Sequence, residues 1–258
     1  MLKNMISVLA VASVMATLAF TAVSSEAAMV GHWQFDNSAD VGQATVSSNL
    51  ETVGNAAYSA SGVVGGALAL DGAGAYLRVD VSDTLATGMP IGDSSFTLAA
   101  FIKTSTAAND GIIGWGNYGT GSQVNAFRTD GGSGGSLNTY SWGGGVDYIA
   151  AAPNIFNGEW HHVAATYDSA TSTKHLYYDG AEIGPGKVLS GDLAVGAANF
   201  RIGTTNFAEY LTGLLDDVRV YDTVLSEAEI GDLAAAPEPA TMSLLALGGL
   251  AILRRRRK

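Results

Sequence analysis

The chain contains no cysteine. That excludes disulfides, thiolate metal sites and a thiol nucleophile, so the fold must rest on its core. Positive charge is scarce as well. Of 13 basic residues, six (Lys3, Arg254 to Arg257 and Lys258) lie at the two ends, as do two of the 24 acidic ones, Glu26 and Glu238. The interior is left with 7 positive and 22 negative groups. A surface of that sign repels nucleic acid and anionic lipid, so neither is an expected partner of the interior. Helix-period segments are nearly absent there, and the whole chain carries 33 glycines, all but Gly248 and Gly249 in the interior. Many short strands joined by turns is the simplest explanation. No internal repeat is visible.

The ends read as targeting segments. Lys3 supplies a small positive region, Met5 to Val23 is apolar and broken only by small polar residues, and Ser25-Glu26-Ala27 offers small residues at both positions a signal peptidase reads. Residues 1–27 are therefore expected to be a signal peptide cleaved after Ala27, with an uncleaved anchor as the alternative. Residues 234–258 are a linker, then Pro237-Glu238-Pro239, an uncharged apolar run over 240–253, then Arg254, Arg255, Arg256, Arg257 and Lys258. A basic cluster directly after an apolar run stays on the cytoplasmic side of a membrane. At ~1.5 Å per residue the run reaches ~21 Å as a helix, short of a ~30 Å hydrocarbon core, so it suits a transient span. The three elements in this order resemble the PEP-CTERM sorting signal of Gram-negative bacteria. The resemblance implies export, temporary anchoring at the inner membrane, and cutting by an exosortase near Pro237-Glu238-Pro239, followed by a place at the cell surface or in extracellular polysaccharide.

Residues 28–233 have the length of one β-sandwich domain. In Gly31 to Asp36, Trp33 and Phe35 alternate with His32, Gln34 and Asp36. Ala67 to Leu70 runs through Asp71-Gly72-Ala73-Gly74 into Tyr76 to Val79, read as a hairpin or a longer loop. Ser95 to Ile102 looks like a central strand, Ile112 to Asn117 another, and Gly131 to Gly135 a loop or hairpin tip. Glu159 to Asp168 pairs plausibly with Lys174 to Tyr178, and Asp179-Gly180 turns the chain into Glu182-Ile183. Phe200 to Gly203 and Leu214 to Tyr221 complete the strands. Ser226 and Glu229 have capping-box spacing for one helical turn.

Several of these phrases together resemble the laminin-G-like, concanavalin A-like jelly-roll family: Gly31-His32-Trp33-Gln34-Phe35-Asp36, Gly66 to Gly72 followed by Tyr76, Phe96 to Ile102, Glu159-Trp160-His161-His162-Val163-Ala164, Leu176 to Gly180, and Gly213 to Tyr221 leading to Leu225 to Ile230. The resemblance implies an all-β, two-sheet antiparallel sandwich. It covers lectins, adhesion modules and modules attached to enzymes, so function must be argued from the site.

An enzyme is not expected. Jelly-roll glycosidases place paired carboxylates at alternate strand positions, often as Glu-x-Asp-x-x-Glu, and no such run occurs. Asp216-Asp217 is adjacent, which in a regular strand sends the side chains to opposite faces. No nucleophile elbow, a Gly-x-Ser-x-Gly turn between a strand and a helix, is read. Regular alternation would put Asp216 on the face of Leu214, Val218 and Val220, where a carboxylate must be paired, hydrogen-bonded or metal-bound. The resemblance suggests a structural calcium ion held by Asp36, Asp71 and Asp216, with Asp217 as alternate; hydrogen bonding of Asp216 and a turn at Asp71 form the competing reading. His161 and His162 should face opposite ways and so cannot share one metal ion, and Trp33 and Trp160 read as core aromatics. A glycan site needs aromatics to stack on sugars with polar groups for hydroxyls. The segment Trp115 to Tyr148 has that mix, with Asn125, Asn138 and Tyr140 in it and Trp115, Asn117, Tyr118, Arg128, Trp142 and Tyr148 as the candidate ligand-binding residues. The expected function is non-catalytic carbohydrate recognition at the envelope or in extracellular polysaccharide, with a matrix or adhesion protein as the alternative and a glycosidase as a distant third.

Overall fold

The computed structural model describes residues 27–132, 134–143, 145–205 and 208–235; the expected signal peptide up to Glu26, the apolar run 240–253 and the sorting residues Pro237, Glu238, Pro239 and Arg254 to Arg257 lie outside them. The described residues form two antiparallel sheets. Sheet 1 has the order β13 (Ala181–Val188), β12 (Thr173–Tyr178), β11 (Trp160–Asp168), β6 (Phe96–Lys103), β15 (Thr212–Tyr221), β4 (Ala67–Asp71), β3 (Ala57–Ser59), with β1 (Met29–Trp33) also paired to β15. Sheet 2 has the order β10 (Tyr148–Ala151), β9 (Ser136–Tyr140), β8 (Val124–Asp130), β7 (Gly111–Gly116), β14 (Arg201–Ile202), β5 (Tyr76–Arg78), β2 (Glu51–Val53). The two-sheet sandwich is the one the resemblance implies, and the expected strands form, whereas β2, β3, β8, β9 and β10 lie in stretches where no strand was expected.

Inward-facing residues of both sheets make one core, with Trp33, Phe96, Ile113, Trp115, Phe127, Tyr167, Phe200 and Val220 all buried. The outer face of sheet 1 carries a second cluster of Ala99, Ala164, Tyr177, Tyr221, Leu225 and Ile230, covered by α1 (Glu227–Ala234). Ala27, Met29 and Leu233 pack against the same cluster. The helix opens with the anticipated capping box: the Ser226 side chain accepts from the Glu229 amide, and the Glu229 carboxylate accepts from the Ser226 amide at 2.7 Å. No helix among the described residues is long and apolar enough to cross a membrane.

Three local readings fare differently. Asp179-Gly180 is a two-residue turn with φ of 50° and 83°, joining paired Tyr178 and Ala181, as a type I′ hairpin requires. The expected hairpin between Ala67–Leu70 and Tyr76–Val79 does not form. β4 pairs with β15 in sheet 1 and β5 with β14 in sheet 2, so Asp71 to Ala75 crosses between the layers. Asp216 also lies on the other face from Val218 and Val220. It pairs with Phe101 while Arg219 pairs with Ala99, leaving two residues opposite Ala100. This bulge, with Asp217 at φ 50°, shifts the phase of alternation. Leu215, Val218 and Val220 then face the core, while Asp216, Asp217 and Arg219 face outward beside α1.

Candidate functional site

The outer face of sheet 2 gathers aromatic and charged groups from strands distant in sequence. Across the β8–β9 ladder Arg128 sits opposite Asn138, and Ala126 opposite Tyr140. The Arg128 guanidinium lies 4.6 Å over the Tyr140 ring. Glu209 comes down on this pair from the segment after β14, its own carbonyl accepting from the Gly111 amide at 2.9 Å. The Glu209 carboxylate accepts hydrogen bonds from Arg128 Nη1, from the Tyr140 hydroxyl at 3.1 Å and from Thr205 Oγ1 at 2.5 Å. Trp142, 40% exposed at φ 65°, stands with its ring centroid 6.5 Å from both Tyr140 and Tyr118. Gly114 leaves room on β7 for the Tyr118 hydroxyl, which a Cβ there would meet at 2.6 Å. Toward β5, Arg201 lies 5.5 Å over Tyr76, pairs with Asp83 at 3.0 Å, and Tyr76 neighbours Tyr210 at 6.1 Å.

Burial raises the pKa of both Tyr118 and Tyr140, so the phenols stay neutral and can donate hydrogen bonds. Three buried polar atoms on this face, the Tyr118 hydroxyl, Arg128 Nε and Asn138 Oδ1, have no hydrogen-bond partner among the described residues. Buried polar groups ordinarily are paired, so these three atoms leave unused hydrogen-bonding capacity beneath the face. Chemically, the face offers an exposed ring flanked by donors and acceptors.

Of the six expected ligand-binding residues, Tyr118, Arg128 and Trp142 are brought together here. Asn117 is exposed at the end of β7 and donates to Gln123 Oε1 at 2.8 Å. Trp115 and Tyr148 point the other way. Trp115 is fully buried between the sheets, and Tyr148, 7% exposed, donates to the Ile183 carbonyl at 3.2 Å. Both are core residues, because strand alternation sends them inward when Gly114 and Ile149 face out. Glu209, Thr205, Arg201, Tyr76 and Tyr210 were missed: they come from segments with no aromatic density, and only the sheet order brings them in. Gly131 to Gly135 does spell Gly-x-Ser-x-Gly, but it links two antiparallel strands, β8 and β9, so it is no strand-to-helix elbow.

The carboxylates expected to hold calcium divide. Asp36 and Asp216 close on one loop: Asp36 Oδ1 accepts from the Gly66 amide at 2.7 Å, and Asp216 Oδ2 from the Val63 and Val64 amides at 2.7 and 3.0 Å. Both line a cavity of about 340 Å³ together with Gln34, Asp217, Arg219 and Asp232. Asp71 is elsewhere, at the end of β4, accepting from Ala73 N and Asn55 Nδ2. Among the described residues no group of three or more His, Asp or Glu is placed to hold a metal ion. Asp216 is fully buried, its Oδ1 has no partner among the described residues, and burial pushes its pKa up to about 6. Burial also opposes ionisation of Asp217, but the His32 hydrogen bond at 2.6 Å and the Arg219 charge outweigh it and hold its pKa low. His162 packs edge-on to Phe101, and burial lowers its pKa to about 4, whereas His161 bonds Asp179 at 2.9 Å. The two histidines thus have separate surroundings.

The comparisons with known proteins agree with this architecture. Domain 4 of AbnA, an extracellular arabinanase from Geobacillus stearothermophilus solved with arabinotriose, superposes with a TM-score of 0.61 at 20% identity, covering 81% of this chain and 98% of that one. The binding domain of Paraclostridial Mosquitocidal Protein 1 gives a TM-score of 0.58 at 15% identity over 80% of this chain and 51% of that one. At such identities the likeness is one of fold. A Rattus norvegicus protein with sushi, von Willebrand factor type A, EGF and pentraxin domains is 30% identical over 101 residues, 36% of this chain. The chain spans about 3% of that relative's length. Residues 235–258 match the PEP-CTERM protein-sorting motif, which marks an exported, exosortase-sorted protein of the cell surface. Residues 71–231 match the Laminin_G_3 model, and with more than half of its length so matched the chain belongs to the concanavalin A-like lectin/glucanases superfamily.

Proposed function

We propose that this protein is a non-catalytic carbohydrate-recognition module that binds a glycan on the outer face of sheet 2. The observation that carries the reading is the clustering of Tyr118, Tyr140 and exposed Trp142 around the Arg128–Glu209 pair, beside buried polar atoms with no partner among the described residues. Ligand sites combine apolar and aromatic walls with a few placed polar groups, and a sugar matches both: its ring face stacks, its hydroxyls pair. Export and exosortase sorting would bring the module to extracellular polysaccharide after temporary anchoring at the inner membrane by the segment 240–253.

The test is a glycan and polysaccharide binding screen of the purified protein and of Trp142→Ala. Saturable binding is expected for the parent, weakened at least about tenfold in the variant, with the melting temperature of the variant within ~2 °C of the parent because Trp142 lies outside the core. Binding that survives Trp142→Ala unchanged would remove this face from the reading. No binding to any glycan would leave a matrix protein that recognises other proteins.

The same reading includes a structural calcium ion at Asp36 and Asp216, not at Asp71. A hard cation takes oxygen ligands, and the unpartnered Oδ1 of Asp216 fits that need. Bound metal would stabilise the loop of residues 62–66, which both carboxylates hold. Chelator is expected to lower the melting temperature by about 5–10 °C relative to calcium at a hundred times its Kd. An unchanged melting curve, with no metal found by elemental analysis, removes the ion.

A further inference from the structure

Lys174 is fully buried between the sheets, although nothing in the proposed ligand face uses it. It lies on β12, and its Nζ donates to Ser141 Oγ at 2.9 Å, to the Val146 carbonyl at 2.9 Å and, more weakly, to the Thr139 carbonyl at 3.5 Å. Those acceptors belong to the end of β9 and the connection from β9 to β10, the stretch that presents Trp142. Ser141 and Val146 stand on either side of Trp142, so one buried amine ties down both flanks of the exposed ring. The base of the stretch is closed from Ser141 N to Asp147 Oδ1 at 2.7 Å. Lys187, directly opposite Lys174 in the β12–β13 ladder, donates to the Asp147 carbonyl at 2.7 Å.

We propose that Lys174 is the positioning residue for the Trp142 segment, coupling the stacking ring to the inter-sheet core and making its order depend on pH. The inference rests on the glycan-face reading for its meaning in binding, but not for its geometry. The charged groups around Lys174 are Asp147 on the held segment and Lys187 on β13. Burial, ahead of the attraction of Asp147 and the repulsion of Lys187, brings the lysine down to about 7. Its sign follows from linkage. When the segment opens, the amine meets water and regains its ordinary affinity for a proton. Opening therefore takes up a proton between pH 7 and the ordinary lysine range. Raising the pH through that window favours the closed form, by up to about tenfold per pH unit. Below pH 7 both forms are protonated and the balance is flat.

The experiment is hydrogen exchange of the Ser141 and Val146 amides, which bond Asp147 Oδ1 and the Gly143 carbonyl, on the full protein from pH 5.5 to 9, with intrinsic exchange rates divided out. Protection in the parent is expected to rise from pH 7 to 9 and to be flat below 6.5. In Lys174→Met it should lose that pH dependence and be lower at pH 9 by about tenfold, the effect of losing the buried hydrogen bonds. Global stability of Lys174→Met at pH 6 should not fall, because an apolar side chain replaces a buried ammonium. Faster local exchange without global loss is an outcome that a merely structural role would not give. Ser141→Ala, which removes one acceptor, should show a smaller local effect. Flat protection in the parent across pH 7 to 9, or loss of protection in Lys174→Met only in step with global stability, would overturn the proposal. If Lys174→Met does not fold, the parent's pH series and Ser141→Ala decide. No ligand enters these measurements, so absence of glycan binding would count against the ligand face alone.

Discussion

Trp115→Ala is expected to cost about 3–5 kcal/mol of unfolding free energy, the range for deleting a large buried aromatic. The ring is fully buried, lies 6.0 Å from Phe200 and 6.5 Å edge-on from Phe96, and its Nε1 donates to the Pro90 carbonyl at 2.8 Å. Truncation would leave a cavity at the centre of the sandwich and strip the Pro90 carbonyl of its donor. Since domains of this size are stable by about 5–15 kcal/mol, the variant should unfold at much lower urea and express poorly. Chemical denaturation followed by circular dichroism checks this. Trp142→Ala serves as its mirror image, with lost binding and an intact fold. A Trp115→Ala protein with an unchanged urea midpoint and no ligand affinity would return Trp115 to the binding residues.

Glu209→Ala is expected to abolish measurable glycan binding and to cost about 2–3 kcal/mol of stability. Its carboxylate is the shared acceptor for Arg128, Tyr140 and Thr205. Removal leaves a guanidinium with only 16% of its side chain exposed without its counterion, and two hydroxyls without their shared carboxylate acceptor. Residual solvent contact on both partners places the cost below that of a fully buried pair. The freed Arg128 would swing off the Tyr140 ring toward water, so the stacking platform would lose its flank. Isothermal titration with the best glycan from the screen, beside urea unfolding of the same sample, separates the two effects. Glu209→Gln should be intermediate, because its amide can still accept from Arg128 but not from all three donors. Parent-like affinity in Glu209→Ala would place the ligand elsewhere.

The fold was legible because its signal is repeated. Short β-rich runs recur along the chain, many of them bounded by glycine, and errors at one run do not disturb the others. Ser226 and Glu229 declared the helix start because a capping box is a local contact between residues three apart. The site was only half legible, and for the opposite reason. Tyr118, Arg128 and Trp142 lie on or just beyond the consecutive strands β7, β8 and β9, so a dense segment reveals them. Glu209 reaches the same face only because β14 inserts between β7 and β5, a pairing that periodicity does not encode. Trp115 and Tyr148 show the limit of composition, which places an aromatic in a strand without giving the phase that faces it in or out. The bulge at Asp217 is a harder case. One residue in left-handed backbone moves Asp216 off the face of Val218 and Val220, and an aspartate at position 217 is weak notice of it.

Met29 and Leu233 pack on a single cluster, under α1 and outside sheet 1, which bears on how many copies act together. Both described ends leave from the side of the sandwich opposite to Trp142. Copies held on a support through the chain beyond Ala235 would carry the aromatic face on the sheet away from the cluster that receives Leu233. A long polymer passing over such an array can engage several copies at once. Each further engagement is intramolecular, so modest single-site affinity becomes strong retention through effective concentration. Where the proposed face binds glycan, residence of a polysaccharide on a decorated surface should exceed, by orders of magnitude, what one copy in solution achieves with a short oligosaccharide.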